Sequence, residues 1–400
     1  MTDLLKDTLT QHANLTEPPG LDLDSIISTG DRRIRRRRAV VVLGTAMVTL
    51  AVLATGLTVA KTLGPDPAPV ALPFTERRAT YAIGSDIHYG RDVISIAPNK
   101  LNAFVQTDAG FVFTTTGDGG IFLADGKQVR RLGDGPGELG ELTAATRGNL
   151  VGWVEGFNDR YESVVYDVAA RRELVRTELG NKVPPNVSLA TAPRVIAIDG
   201  DDAYFGTLKG VYRWNLKTGQ SQPFIEPLDP RAIRALTADR YLLDAHPENP
   251  TGPALLTLKD LPGNNVKGTY PGKQAYLSPS AKYLLTGAND PQRITPPPTD
   301  LKLFDTTAGK QLPFYDPDHP RLIFSQWLTD NTFTAAGVRL IPQLIDPVPG
   351  IPVDLLTCST NTLTCQVTTP AFSTLTFTTT PPRTAPFTLP IGTPIRWLYG

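Results

Sequence analysis

Two cysteines and four histidines are the scarcest reactive side chains in this sequence, and their spacing decides how much chemistry it can carry. Cys358 and Cys365 have six residues between them in a β-like stretch. In an oxidising compartment that spacing predicts a disulfide across a hairpin, the bland alternative being two unrelated thiols. A zinc site would need two further ligands nearby, and the sequence shows none. His12, His88, His246 and His319 fall in different segments with no H-E-x-x-H pair, so each is read as a turn or surface residue. Residues 135–140 match G-x-G-x-x-G. A dinucleotide site needs a helix N-terminus there to meet the pyrophosphate, whereas ELTAATRGNLVGWVE reads as a turn and a strand. Asp199-Gly200-Asp201-Asp202 is acidic but lacks the alternating ligands of a calcium loop, and reads as an inter-strand turn. Neither a G-x-S-x-G elbow nor a P-loop occurs. Paired carboxylates for glycoside chemistry announce themselves only through geometry. The sequence therefore names no catalytic residue, no metal ligand and no cofactor.

What would position any site is a β-rich region beginning at about Phe74. Short β-type runs alternate there with Gly, Pro, Asn and Asp, without a long helical period. Five segments share one plan, a β run, a polar turn and a second β run. They are FLADGKQVRRLG around Asp125, VVYDVAARRELVR around Asp167, YRWNLKTGQSQPF around Asn215, LTLKDLPGNNVKGTY around Lys259 and LKLFDTTAGKQLPF around Asp305. Successive markers lie 42, 48, 44 and 46 residues apart. Hairpins around Asp86 and Ser359 extend the ladder outward. A period near 45 with four short strands per unit predicts an all-β fold, a β-propeller of about seven blades. A sandwich or two β domains would not give that period. Asp or Asn at the end of a strand should accept backbone hydrogen bonds and set the turn. Tyr283-Leu284-Leu285, after Ser278-Pro279-Ser280, reads as an inner strand. Ring closure requires residues near Thr80–Tyr89 to meet the C-terminal strands, with the cysteine hairpin near that closure. Tyr81, Phe111, Phe113, Trp153, Tyr204, Phe205, Trp214, Phe304 and Trp327 should mostly pack between blades.

Charge patterning supplies the rest of the organisation. Lys+Arg and Asp+Glu are equal at 39 each, which gives no basic face for phosphates and so no nucleic-acid partner. The exception is Arg32, Arg33, Arg35, Arg36, Arg37 and Arg38, directly before an uncharged apolar run from Ala39 to Ala60. At about 1.5 Å per residue that run spans roughly 33 Å, enough for a hydrocarbon core of about 30 Å. The arginines set its orientation by the positive-inside rule. A cleaved signal peptide is the rival reading, but its apolar region is usually about 7–15 residues behind a short leader. The expected organisation is a cytoplasmic tail (1–38), a transmembrane helix (39–60), a Pro-rich linker (61–73) and an extracytoplasmic propeller (74–400). In the tail, Leu4, Leu5 and Leu9 form one apolar face. Pro18-Pro19-Gly20 interrupts the pattern before Leu23, Ile26, Ile27 and Ile34 resume it.

The leader LDLDSIISTGDRRIRRRR, the segments ATYAIGSDIHYG, AFVQTDAGFVFT and IFLADG, and the late cysteine hairpin carry a resemblance. The chain resembles actinobacterial single-pass membrane proteins with an extracytoplasmic WD40/YVTN-like β-propeller. The resemblance covers nearly the whole chain, implies a bacterial plasma membrane and transfers no active-site residue. Together these readings predict a binding or interaction module for an envelope protein or ligand, with a sensor variant in which the tail docks a cytoplasmic regulator. The alternative from another class is a cell-envelope lyase or hydrolase, which would gather acidic residues and histidines at the channel. A third is a structural envelope protein.

Overall fold

Runs such as Tyr241-Leu242-Leu243 are apolar at consecutive positions, so a strand built from them must be buried on both faces. A radial stack of small sheets meets that demand. The computed structural model describes residues 74–395 except 118, 136–140, 158–159, 179–192, 208, 226–231, 238, 245–254, 262, 288–300, 340–349 and 376–384. The tail, the six arginines and the apolar run 39–60 lie outside the described residues. Among those described there is no α-helix, and no helix long and apolar enough to cross a membrane.

The strands form seven sheets, each an antiparallel meander. Blade 1 holds β1 (Thr80–Ile83), β2 (Asp86–Tyr89) and β3 (Asp92–Ser95). Blade 2 holds β4 (Leu101–Thr107), β5 (Gly110–Thr115), β6 (Gly120–Ala124) and β7 (Val129–Asp134). Blade 3 holds β8 (Thr143–Ala144), β9 (Leu150–Phe157), β10 (Arg160–Asp167) and β11 (Arg172–Thr177). Blade 4 holds β12 (Arg194–Asp199), β13 (Asp202–Thr207), β14 (Gly210–Asn215) and β15 (Ser221–Ile225). Blade 5 holds β16 (Ile233–Thr237), β17 (Arg240–Asp244), β18 (Leu255–Asp260) and β19 (Val266–Pro271). Blade 6 holds β20 (Gln274–Leu277), β21 (Tyr283–Gly287), β22 (Leu301–Asp305) and β23 (Lys310–Leu312). Blade 7 holds β24 (Arg321–Thr329), β25 (Thr332–Val338), β26 (Ile351–Ser359) and β27 (Thr364–Leu375). The first strands of neighbouring blades touch, β4 with β8, β8 with β12, β12 with β16 and β16 with β20, which places them around the axis. Last strands such as β19 and β27 are mostly exposed and form the outer rim.

Side-chain alternation along the strands builds one apolar layer between each pair of blades. Tyr241 and Leu243 of β17 pack against Tyr204 and Val211 of blade 4, while Leu242 between them packs against Leu277 and Leu284 of blade 6. Leu285 turns the other way, toward Phe324 and Phe333 of blade 7. Of the nine aromatic residues expected between blades, seven are buried, and Trp214 and Trp327 pack partly buried at the layer edges. Fully burying one such side chain stabilises by about 1.5–3 kcal/mol.

The ring closes as its period requires. Ala82 on β1 and Thr388 exchange two backbone hydrogen bonds of 2.9 Å, so the C-terminal segment becomes the innermost strand of blade 1. Phe387 and Leu389 on that strand are buried with Tyr81 and blade 7. The Cys358–Cys365 disulfide forms between directly opposed residues of β26 and β27. It lies in the blade next to the closure, but Cys358 faces the blade 6 layer, because alternation along β26 directs Leu355 toward the seam instead.

A short strap precedes β1. Phe74 is buried between Tyr89 and Phe111, with ring centroids 5.6 and 5.5 Å away. Gln106 Nε2 of blade 2 donates to the carbonyls of Phe74 and Glu76, both at 2.9 Å. Arg77 pairs with Asp108 at 3.1 Å, and Gln326 Nε2 of blade 7 donates to Arg78 O at 2.6 Å. Residues 74–79 thus tie blades 7, 1 and 2 together.

The third-to-fourth-strand hairpins carry the recurring turn. Asp125, Asp167, Asn215 and Asp305 each accept backbone N–H bonds on Oδ1 at 2.8–3.1 Å, as expected of that residue type. Two markers need correction. In blade 5 the strand ends at Asp260, one residue beyond Lys259, and in blade 1 the equivalent turn is Gly90-Arg91, because Asp86 opens β2. Tyr283-Leu284-Leu285 is likewise a second strand, since Gln274–Leu277 takes the inner place. Five of these hairpins place the residue four after the marker in the left-handed region: Arg171, Gly219, Asn264, Gly309 and Leu363.

Candidate functional site

A propeller offers chemistry at its axial channel and at the two ends of its ring. The inner strands turn one edge toward the axis, where backbone N–H and C=O groups are available for pairing. Beside blades 2 and 3 the chain's own C-terminal segment takes two of those groups. After Leu389 it reverses, with Ile391 N donating to Leu389 O at 2.8 Å, and Ala385 N donates to Ile395 O at 3.0 Å. Residues 391–395 therefore run back along the axial side of the strand they follow. Gly392 N donates to Phe104 O of β4 at 3.0 Å, and Leu142 N, just ahead of β8, donates to Gly392 O at 2.9 Å. Gly392 has φ +77°, and a Cβ there would overlap the Leu142 carbonyl oxygen. Ile391, its neighbour, packs against the layers on both sides of blade 7. This return leg reaches from the layers beside blade 7 to the inner edges of blades 2 and 3.

The two ends of the ring differ. First-to-second and third-to-fourth strand turns share one end with the strap, and the turns there are short. At the other end the connections after β17, β21 and β25 run to 10, 13 and 12 residues.

At that longer-loop end of blade 7 lies the most connected polar cluster of the described residues. His319, between β23 and β24, is buried against the backbone of Gly337, where a Cβ would come within 2.8 Å of its ring. Its Nδ1 faces Asp316 Oδ2 at 3.0 Å and its Nε2 faces Asp354 Oδ2 at 2.8 Å. Asp354, 1 % exposed, also accepts from Arg339 Nε at 2.5 Å, Arg339 Nη2 at 2.8 Å and Ala371 N at 2.6 Å. Burial alone would raise its pKa, but the bonds from Arg339, Ala371 and His319 outweigh that and hold it at about 2. Every group in the cluster is used on a neighbour, which makes it a clamp joining the β23–β24 connection to blade 7.

The paired carboxylates that sequence cannot reveal do exist. Glu155 and Glu162 oppose each other across β9 and β10. Arg176 Nη1 donates to both, at 2.8 and 2.6 Å, and so occupies the space a scissile bond would need. His88 stacks on Tyr81 in blade 1, its ring centroid 4.4 Å away, so it and His319 serve different blades. His12 and His246 lie outside the described residues. Gly135 bonds to Gly119 O at the end of blade 2 and the chain continues into β8, a strand where a nucleotide site would need a helix. Asp199 and Asp202 end β12 and open β13 as an ordinary turn. Among the described residues no group of three or more His, Cys, Asp or Glu could hold a metal ion. The return leg and the His319 clamp were both missed by sequence reading; Gly392 within PIGTPI was the one available signal.

No protein-family model matches the chain, and no curated protein does. Solved structures similar to it include TolB from Acinetobacter baumannii, at 11 % identity and TM-score 0.37, covering 76 % of this chain and 65 % of that one. This chain thus spans just under two thirds of TolB. A chain of the mitotic checkpoint complex aligns at 12 % identity and TM-score 0.42, covering 82 % and 91 %. The β-propeller domain of the Trilobed protease from Pyrococcus furiosus aligns at 12 % identity and TM-score 0.45, covering 72 % and 87 %. The seven-blade assignment rests on the strand order itself.

Proposed function

We propose that this protein is a membrane-anchored binding module of a bacterial plasma membrane. Residues 39–60 cross the bilayer, the arginines at 32–38 hold the N-terminus in the cytoplasm, and the propeller lies outside. In the sensor form of this reading, the tail docks a cytoplasmic regulator. The observation that carries the binding role is the division of labour between the two ends of the ring. The strapped end holds residues 74–79 and has short turns, and the strands joined by the longest connections, whose own residues lie almost wholly outside the described ones, have their ends opposite. The disulfide supports an oxidising compartment, and the uncharged run behind six arginines supports the anchor. Fold alone does not fix a partner.

A lyase or hydrolase would need acids and histidines converging on the channel. Among the described residues, His88, His319, Glu155 and Glu162 are each held by neighbours within their own part of the ring. The decisive experiment is cross-linking of the tagged full-length protein in intact cells. Capture of an envelope component outside, with or without a regulator on the tail, is the expected result. Empty capture on both sides, alongside turnover of an envelope glycan or peptide, would reverse the assignment.

A further inference from the structure

We infer that the axial edges of blades 2 and 3 form a binding site for a short glycine-centred bend of peptide, and that the return leg 391–395 is its occupant in cis. The inference deepens the binding-module reading by naming the ligand class, and rests on it. Recognition here is by two main-chain hydrogen bonds to one residue and by the room around it, with Gly392 at φ +77° directly after the turn from Leu389 to Ile391. Phe104 O accepts from Gly392 N, and Leu142 N donates to Gly392 O, so two different blades read one residue of the leg. The approach to Leu142 admits glycine alone, because any Cβ would overlap its carbonyl. The flanking Ile391 and Ile395 are half-buried against the blade 7 layers. The recognised pattern is an aliphatic residue, then glycine, and an aliphatic residue three further on.

The side chains of the leg are less buried than those of the strand it folds back on, although Gly392 itself is buried. Phe387 and Leu389 are 2 % and 0 % exposed and belong to the closure layer. Residues 391 and 393–395 keep intermediate exposure. Displacing the leg would therefore leave Thr388 paired with Ala82. A tethered occupant competes at an effective concentration on the order of millimolar, so an intact leg would mask the site from a partner in trans.

The test uses the full-length protein in detergent and a fluorescent peptide of residues 389–395, LPIGTPI, read by anisotropy. Gly392→Ala should expel the leg and expose the site. The variant is expected to bind the peptide at least tenfold more tightly than wild type, and to lose that binding when the peptide's glycine is replaced by alanine. Slow amide exchange at Ala82 and Thr388 reports that the ring stays closed. Should Gly392→Ala disturb closure, a chain ending after Pro390 takes its place. A closed variant that ignores the peptide, equal binding by wild type and variant, or loss of closure in both variants would each overturn the inference. The last would make the leg part of the folded core. The cell-capture experiment reads a natural partner and this one reads the site, so either can fail without the other.

Discussion

Thr388 and Ala82 pair backbone to backbone, 2.9 Å in each direction, and so join the last described segment of the chain to the first strand of the ring. Thr388→Pro removes the donor to Ala82 O and bends the strand at its centre. We expect a loss of about 1–3 kcal/mol by urea unfolding, the cost of leaving a buried carbonyl without its donor, with faster amide exchange concentrated in blade 1. An unchanged midpoint would mean that the ring closes without this pair.

Phe74 tests the strap. Phe74→Ala empties a buried position between two aromatic rings and should destabilise by about 3–5 kcal/mol. Tyr315, 53 % exposed, is the matched control, and Tyr315→Ala should change stability by under about 0.5 kcal/mol. Equal effects would show that Phe74 does not pack as described.

Asp354 sets an acid limit. Its pKa is depressed from 3.8 to about 2, so the folded state favours its ionised form. Its contribution, about 2 kcal/mol at 1.36 kcal/mol per unit, is fully present above pH 3.8 and disappears as the pH falls through about 2. Asp354→Asn should remove that acid dependence and cost about 1.5–3 kcal/mol at neutral pH, because a neutral amide replaces the carboxylate that accepts from His319, Arg339 and Ala371. A stability profile between pH 2 and 5 that is identical in wild type and variant would count against the clamp.

Leu363 occupies the left-handed region at φ 58°, at the place where Gly309 stands in blade 6. Leu363 also packs against the blade 6 layer, so the cleaner site is exposed Arg171 at φ 58° in blade 3: Arg171→Gly should raise stability by about 0.5–1 kcal/mol, and Gly309→Ala should lower it by about 1 kcal/mol. Thermal unfolding of the two variants together checks the sign at both positions.

The Cys358–Cys365 bridge closes a short loop, and its removal should cost about 2–3 kcal/mol. Protein taken from intact cells without reductant should resist thiol labelling. Ready labelling of both cysteines would place the domain in a reducing compartment and defeat the extracytoplasmic assignment.

Much of the fold was legible in the sequence because blades repeat locally. The Asp125, Asp167, Asn215 and Asp305 turns recur near 45 residues, and each hairpin states its own strands. The same local evidence misplaced Asp86 and Lys259, where blade 1 borrows a strand from the other end of the chain and blade 5 ends one residue later. Glu155 with Glu162, and His319 with Asp354, were not legible. Cross-strand register decides the first pair and a 35-residue separation hides the second. The return leg was least visible of all. Its partners, Phe104 and Leu142, meet it through backbone atoms, which carry no residue type for a sequence to display.

The strap at residues 74–79 also sets a load path. A chain that enters through Phe74 transmits tension first to Gln106, Asp108 and Gln326, on blades 2 and 7. Force arriving there shears several contacts at once, whereas the same force on β1 alone would peel the Ala82–Thr388 pair open one bond at a time. Tension applied at Phe74 would therefore spare the joint between Ala82 and Thr388.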